Sequence, residues 1–303
     1  MPEIGANEVL SQHPEMVLVP GGAVQLGSTE KQIDWILLEY AHHPRNWYED
    51  ETPQQKVPVE PFMLDRYPVT NQQFADFVTA TGYKTVAEQA GYGYVYTEDY
   101  WDEIEGAAWN HPAGPRSSID DRMNHPVVHM SSVDAQSYAQ WANKRLPTEA
   151  EWERATKGDG DAIWTWGDEW HPHHTNSAEH WIGKSTKALS TWKDWWREEF
   201  RHDHGMPKTT PVGSFETNKS QFGVYDLLGN VYEITGNLYQ PYDPNRQYDP
   251  MYQTIFGKYV SMRGGSWMNF RYQIRNSERM AIDPQFSNFA TGFRCAADLP
   301  HRA

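Results

Sequence analysis

Thirteen histidines and one cysteine set the first limits on chemistry. Three neutral imidazoles, or two with a carboxylate, would bind Fe(II), Cu or Zn. Outside His111, His125 and His129, and His13 and His301 near the two ends, the histidines fall at His42-His43, His171-x-His173-His174, His180 and His202-x-His204. None of these shows the i, i+4 spacing of a helical zinc pair. They read as exposed loop residues or, in the sharper form, as a transition-metal site on His202, Asp203 and His204. Cys295 has no partner for an internal disulfide, and no CxxC site exists. Asp226-x-x-Gly229-x-Val231-x-Glu233 offers two hard carboxylates and two backbone carbonyls in one turn-rich stretch. Calcium takes such donors, 6–8 oxygens at about 2.3–2.6 Å; the alternative is that Asp226 and Glu233 cap turns. Arg271, Arg275 and Arg279 recur at four-residue steps. They could anchor a ligand carboxylate by bidentate bonds, or pair with the chain's own acids. Ser266 has no neighbouring base and no G-x-S-x-G turn, so it reads as a hydrogen-bonding residue rather than a nucleophile. Trp192, Trp195 and Trp196 stand at i, i+3, i+4, as a core-facing stripe or an aromatic platform for a ligand.

These groups need elements to hold them. Met16–Leu26 carries apolar residues around a Pro-Gly-Gly break and predicts a hairpin. Gln32–Ala41 has apolar residues at Ile33, Ile36, Leu37 and Tyr40, a short amphipathic helix. Residues 42–56 read as a loop and Val57–Asp65 as a strand. Thr70 with Gln73, and Thr148 with Glu151, are capping boxes for helices that begin there. Ser132 is expected to cap a helix reaching about Asn143. Residues 91–131 have no period, but their aromatics suit an ordered loop packed on a core. Residues beyond 158 read as turns and short strands.

The whole chain narrows the class. It has 303 residues, 26 Lys+Arg against 41 Asp+Glu, and a formal charge of −15. Such an acidic surface argues against duplex nucleic acid or a membrane surface of anionic lipid as partner. Aromatics at 14% and charged residues at only 22% are the reverse of a disordered chain. No apolar run is long enough to span a membrane. The first residues lack a secretory pattern, so a cytoplasmic location is expected.

Seven segments in order carry a resemblance: Tyr67-Pro-Val-Thr-Asn71, Trp109-Asn-His-Pro-Ala-Gly-Pro115, His125-Pro-Val-Val-His129, Lys144-Arg-Leu-Pro-Thr-Glu-Ala-Glu-Trp-Glu153, Tyr225-Asp-Leu-Leu-Gly-Asn-Val-Tyr-Glu233, Arg263-Gly-Gly-Ser-Trp267 and Gly292-Phe-Arg-Cys-Ala-Ala297. Together the sequence resembles the formylglycine-generating enzyme, or sulfatase-modifying factor, family. The resemblance implies a tail over residues 1–15 and one α+β domain over 16–303, of modified C-type-lectin type with little regular secondary structure. It implies structural calcium at Asp226, Gly229, Val231 and Glu233, and a second calcium at Asn176, Ser177, Asp203 and Met206. It implies that His111, His125 and His129 are ordinary fold residues. Founding members oxidise a sulfatase cysteine with copper and O2; others are sulfoxide synthases or non-catalytic binding proteins.

The family's copper thiolates fall on Asn269 and Ile274, neither of which can be one. Cys295 is then a free, buried, structural thiol, with Ala139 where relatives place its partner. Tyr92 stands where the copper enzymes carry a groove acid, Tyr232 replaces a Trp, and Ala290 replaces an Asn. Ser266, Trp109 and Arg275 are kept. The resemblance thus implies a catalytic set of Ser266, Asn269 and Arg275, with Trp109, Tyr92, Tyr232, Trp267 and Arg271 as substrate contacts. Three functions stay open: an O2-dependent oxidoreductase using Fe or Cu held without thiolates, on a small-molecule or peptide substrate; a non-catalytic protein that holds a protein or peptide partner; and an atypical formylglycine generator.

Overall fold

Helix starts are written locally, by side chains that satisfy the free N–H groups of the first turn. The computed structural model describes residues 10–11, 13–39, 44–186 and 188–300. Helix α1 (Glu30–Glu39) begins at Thr29, which trades hydrogen bonds with Gln32. Full capping boxes open α2 (Asn71–Thr81) at Thr70/Gln73 and α3 (Val86–Ala90) at Thr85/Glu88. They also open α4 (Ser132–Trp141) at Ser131/Asp134 and α5 (Glu149–Lys157) at Thr148/Glu151. The cap of α4 is therefore Ser131, one residue before the expected Ser132, because only Ser131 has an acid three positions on. Tyr40, Ala41, His42, His43 and most of the expected tail lie outside the described residues.

The expected hairpin over Met16–Leu26 is not formed. Strand β1 (Met16–Val19) pairs instead with β4 (Phe62–Asp65), and β2 (Gly22–Leu26) pairs with β3 (Gln55–Val59), both antiparallel. The breaks at Pro20-Gly21 and Glu60-Pro61 face each other; a Cβ on Gly21 would lie 2.8 Å from the Pro61 ring. Two broken strands run side by side, so the expected strand Val57–Asp65 is two strands. The expected loop 42–56 contains a 3-10 turn, Arg45–Glu51. The aperiodic stretch after residue 91 opens with a hairpin, β5 (Tyr92–Tyr96) and β6 (Trp101–Glu105).

The remaining elements are α6 (Ala178–Ile182), α7 (Leu189–His202), β7 (Tyr232–Leu238), α8 (Pro250–Ile255), β8 (Val260–Arg263), β9 (Arg279–Ile282), β10 (Thr291–Gly292) and β11 (Ala296–Asp298). Two larger sheets result, in orders β1-β4-β11 and β10-β7-β8-β9. One core cluster packs α2 and α4 on β7, β8 and β9 through Phe74, Tyr138, Ile234 and Met262, and holds Cys295. Another buries Trp152 of α5 with β2, β4 and Ile274. The third is aromatic: Trp192 and Trp196 of α7 against Trp267 and Phe289. That settles the tryptophan stripe as mainly core-facing, with Trp195 only half-buried. This mixed α+β fold leaves long loops between short elements, and those loops build the site. Among the described residues, no helix is long and apolar enough to cross a membrane.

Candidate functional cleft

A cleft of about 720 Å³ opens over the loop that follows β8. Its lining includes Ser266, Asn269 and Tyr232, with Tyr96, Trp192, Tyr259, Phe286 and Ala290 around them. Gly264 and Gly265, at φ 91° and 71°, turn the chain sharply out of β8. A Cβ at Gly264 would meet the Leu227 carbonyl at 2.4 Å, so only glycine permits this approach. Ser266 follows directly and is fully buried. Its hydroxyl donates to Asn269 Oδ1 at 2.6 Å, and its backbone N–H donates to the same oxygen at 2.9 Å. The Asn269 N–H returns a bond to the Ser266 carbonyl at 3.0 Å. Ser266 and Asn269 therefore form one small latch on the cleft floor.

The latch cannot stand in for a pair of thiolates. Asn269 offers an amide, and Ile274 is buried in the apolar cluster around Trp152. Cys295 sits in a different cluster, where burial pushes its thiol well above the ordinary value. It is a neutral structural group, far from the thiolate form that binds soft metals.

A second lobe of about 380 Å³ adjoins the first and shares Trp47, Tyr272, Gln273, Met280 and Ala281 with it. Three carboxyls line it: Asp50, Glu51 and Glu278. Asp50 accepts hydrogen bonds from the Tyr239 and Tyr252 hydroxyls. Burial pushes its carboxyl up to about 6, against the pull of Arg279. Glu51 takes both terminal nitrogens of Arg275, at 2.5 and 2.7 Å. Among the described residues, Glu278 accepts only the Tyr232 hydroxyl, at 3.3 Å on Oε1, while its buried Oε2 has no partner. Burial pushes Glu278 up to about 8, so it is mostly a neutral acid at neutral pH.

The expected arginine anchors are already used. Arg275 is buried against Glu51 and its Nε donates to the Tyr272 carbonyl. Arg279 grips Glu149, and Arg271 pairs with Glu179. Of the expected substrate contacts, only Tyr232 lines the cleft with the latch. Trp109 packs in the core, 5.3 Å from the Phe74 ring. Trp267 is buried between Trp196 and Phe289. Tyr92 is half-buried and packs edge-on to Tyr94. Trp109, Tyr92 and Trp267 are thus held in packing contacts outside the cleft lining, although Trp267 directly follows Ser266 in the chain.

The implied metal sites pass the test of fit unevenly. Asp226 fits: it is buried, its Oδ2 accepts the Gly213 N–H at 2.6 Å, and its Oδ1 has no partner among the described residues. Burial holds its carboxyl up at about 6. Glu233 does not, because Arg294 takes both its oxygens and the Trp152 indole donates to one of them. Gly229 and Val231 lie in the turn between, joined to Gly264 and Asn176 by backbone bonds through Gly229 and Asn230. The second set fits poorly. Asn176 Oδ1 accepts the Trp181 indole N–H, and Ser177 caps α6. Asp203 is held by Lys208 at 3.0 Å, with Arg122 at 3.7 Å and Met206 just beyond. An ammonium already supplies positive charge there.

The transition-metal reading of His202, Asp203 and His204 is not supported by the geometry. Both histidines are exposed, Asp203 is paired with Lys208, and no group of three His, Cys, Asp or Glu side chains converges among the described residues. His129, by contrast, is a core residue: its Nε2 donates to the Pro112 carbonyl, and burial holds its ring down at about 4.

Sequence reading missed Asp50, Glu51, Glu278, Tyr239 and Tyr252. The only written signal is Glu278 between Arg275 and Arg279, and an acidic run after Trp47-Tyr48. Neither says that residues 51 and 275 meet.

Residues 2–299 match the model of the Sulfatase-modifying factor enzyme 1-like domain. The chain is 36% identical over 309 residues to the formylglycine-generating enzyme of Thermomonospora curvata, covering 93% of each. It is 32% identical over 310 residues to the inactive C-alpha-formylglycine-generating enzyme 2 of Bos taurus, covering 94% of this chain and 89% of that one. The solved structure of PvdO from Pseudomonas aeruginosa shares the fold, with a TM-score of 0.61 at 23% identity over 94% of each chain.

Proposed function

The chain belongs to the sulfatase-modifying factor family, and on that premise we propose that it binds a peptide or small-molecule ligand in its cleft without thiolate-copper chemistry. One observation carries this reading. Of the ten large hydrophobic side chains exposed among the described residues, five, Trp47, Trp101, Leu189, Met251 and Met280, line the two lobes of the cleft. Exposed apolar side chains gathered around a concavity mark a binding site more than scattered ones do. The Ser266–Asn269 latch and Tyr232 supply polar contacts on the floor beneath them.

O2-dependent oxidation of the bound ligand is the second reading, favoured by the relatives named as formylglycine-generating enzymes. It needs metal ligands that the described residues do not gather. A structural calcium at Asp226 belongs to either reading and is supported by the unpartnered Oδ1. Its chemistry there is the joining of loops.

The test loads the whole chain with Cu(I) under air and adds a sulfatase-type cysteine peptide. No retained copper and no aldehyde product are expected. In parallel, a displayed peptide library is panned on the chain, and binders are expected to be lost in Trp101→Ala. Stoichiometric copper with aldehyde formation would overturn the proposal, as would binders indifferent to every cleft variant.

A further inference from the structure

The small lobe has a charge pattern that the large one lacks. Its arginines are all committed within the protein. Arg279 donates to Glu149, to the Asp50 carbonyl and to the Gln240 carbonyl. Arg275 is committed to Glu51 and the Tyr272 carbonyl. Arg263, behind them, is held by Glu149, Glu153 and the Asn276 carbonyl. Of the acids, Asp50 and Glu51 are satisfied as well. Among the described residues one acid oxygen is left over, Glu278 Oε2, buried at the lobe wall and unpartnered. The rings of Tyr48 and Tyr239 lie under Arg275 and Arg279. Trp47, Tyr252 and Tyr272 complete the aromatic wall.

A leftover carboxyl oxygen among aromatic rings suits one kind of guest. Ring faces attract cations, and a desolvated carboxylate gains most from an N–H donor of positive charge. An anion would meet no uncommitted arginine here. The acidic surface, at −15 overall, also draws cations toward the cleft.

Resting on the cleft-binding reading above, we propose that the small lobe is an ammonium site. Glu278 Oε2 and the aromatic wall receive the cationic end of a ligand whose apolar part lies in the large lobe. The shared wall of Trp47, Tyr272, Gln273, Met280 and Ala281 lets one ligand span both. Glu278 faces Arg275 and Arg263, which favour its charged form, and Glu51 and Asp50, which oppose it. Without a guest the carboxyl keeps its proton near neutral pH. A bound ammonium supplies the missing positive charge, so the carboxyl ionises and its proton passes to the buffer.

The experiment is calorimetric titration of the whole chain at pH 7 with 4-phenylbutylamine, 4-phenylbutanol and 4-phenylbutyrate, each in two buffers of different ionisation enthalpy. The amine is expected to bind at least about tenfold more tightly than the alcohol. Its binding should release close to one proton, read from the buffer dependence of the heat. In Glu278→Gln the alcohol should bind as before, which reports an intact cleft, while the amine loses its advantage and the proton release vanishes. Equal binding of amine and alcohol would overturn the ammonium site and leave the cleft reading standing. So would preference for the carboxylate, or amine binding unchanged in Glu278→Gln. If none of the three ligands binds, both proposals fall.

Discussion

Asn269 Oδ1 takes the hydroxyl and the N–H of Ser266, so the side chain that replaces a thiolate also locks its neighbour. Nothing in the residue types announces that bond; only the spacing of three makes it reachable. Glu278 is the other decisive residue, and its behaviour with pH can be worked out. Its folded value is raised to about 8 from an ordinary 4.5. Between those values the folded protein holds a proton that the unfolded chain has released. Stability contributed by this group is therefore full below the lower value and falls as pH rises toward the upper one. The slope is at most about 1.4 kcal/mol per pH unit. Glu278→Gln should remove that decline, so urea midpoints at pH 5, 6, 7 and 8 should diverge in favour of the variant as pH rises. Parallel curves would show that burial does not hold the proton there. At this scale the sequence was legible where chemistry is intrinsic, as with Cys295 alone or two non-thiolates at 269 and 274. It was silent where a partner decides, as with Arg275, because Glu51 is 224 residues away.

Elements were more readable than contacts. Reciprocal capping pairs open five helices among the described residues, and those at Thr70 and Thr148 are explicit in the sequence because the signal spans only four residues. The strands were harder. Pro20-Gly21 reads as a hairpin turn locally, yet the partner of each flanking strand comes from residues 55–65. Only the packing of two chain breaks on each other explains that choice. Helix α7 tests the value of an element to the cleft. Trp196 is fully buried, packs on Trp267 and Phe289, and its indole N–H donates to the carbonyls of Tyr96 and Thr97. Trp196→Ala should cost about 3–5 kcal/mol. Because Trp267 directly follows Ser266, the variant should also loosen the latch. Chemical denaturation and hydrogen exchange at residues 266–269 would read both effects. A loss under about 1 kcal/mol would mean that α7 is not part of the core.

Across the whole molecule, buried ion pairs tie distant parts of the chain together. Arg294 with Glu233, Arg275 with Glu51, and Arg279 with Glu149 are all buried or nearly so. Such pairs gain little over an apolar substitute, but removing one partner strands a charge and costs about 3–5 kcal/mol. Arg294→Ala strands Glu233 beside Trp152 and should lower the calorimetric melting temperature by roughly 10 °C, at about 2–4 °C per kcal/mol. Arg294→Ala with Glu233→Gln should recover part of that loss; no recovery would mean that packing, not charge, sets the cost. The fold family was legible from seven ordered segments, because each is a short contiguous run, such as the helix start at Thr148/Glu151 or the turn at Gly264-Gly265. The two-lobed shape of the cleft was not, because it is made by residues from both ends of the chain.

That last feature reaches back to how the protein is made. Strand β4 waits for β11, its partner 232 positions further along at Leu64 and Ala296. The turn bearing Glu51 likewise waits for Arg275. A nascent polypeptide therefore carries an unmatched edge and an unmatched acid until residues 275–298 have been made. Completion of the cleft and closure of the first sheet therefore wait for residues 275–298, so a product cut before them would lack the site altogether rather than display a weakened one.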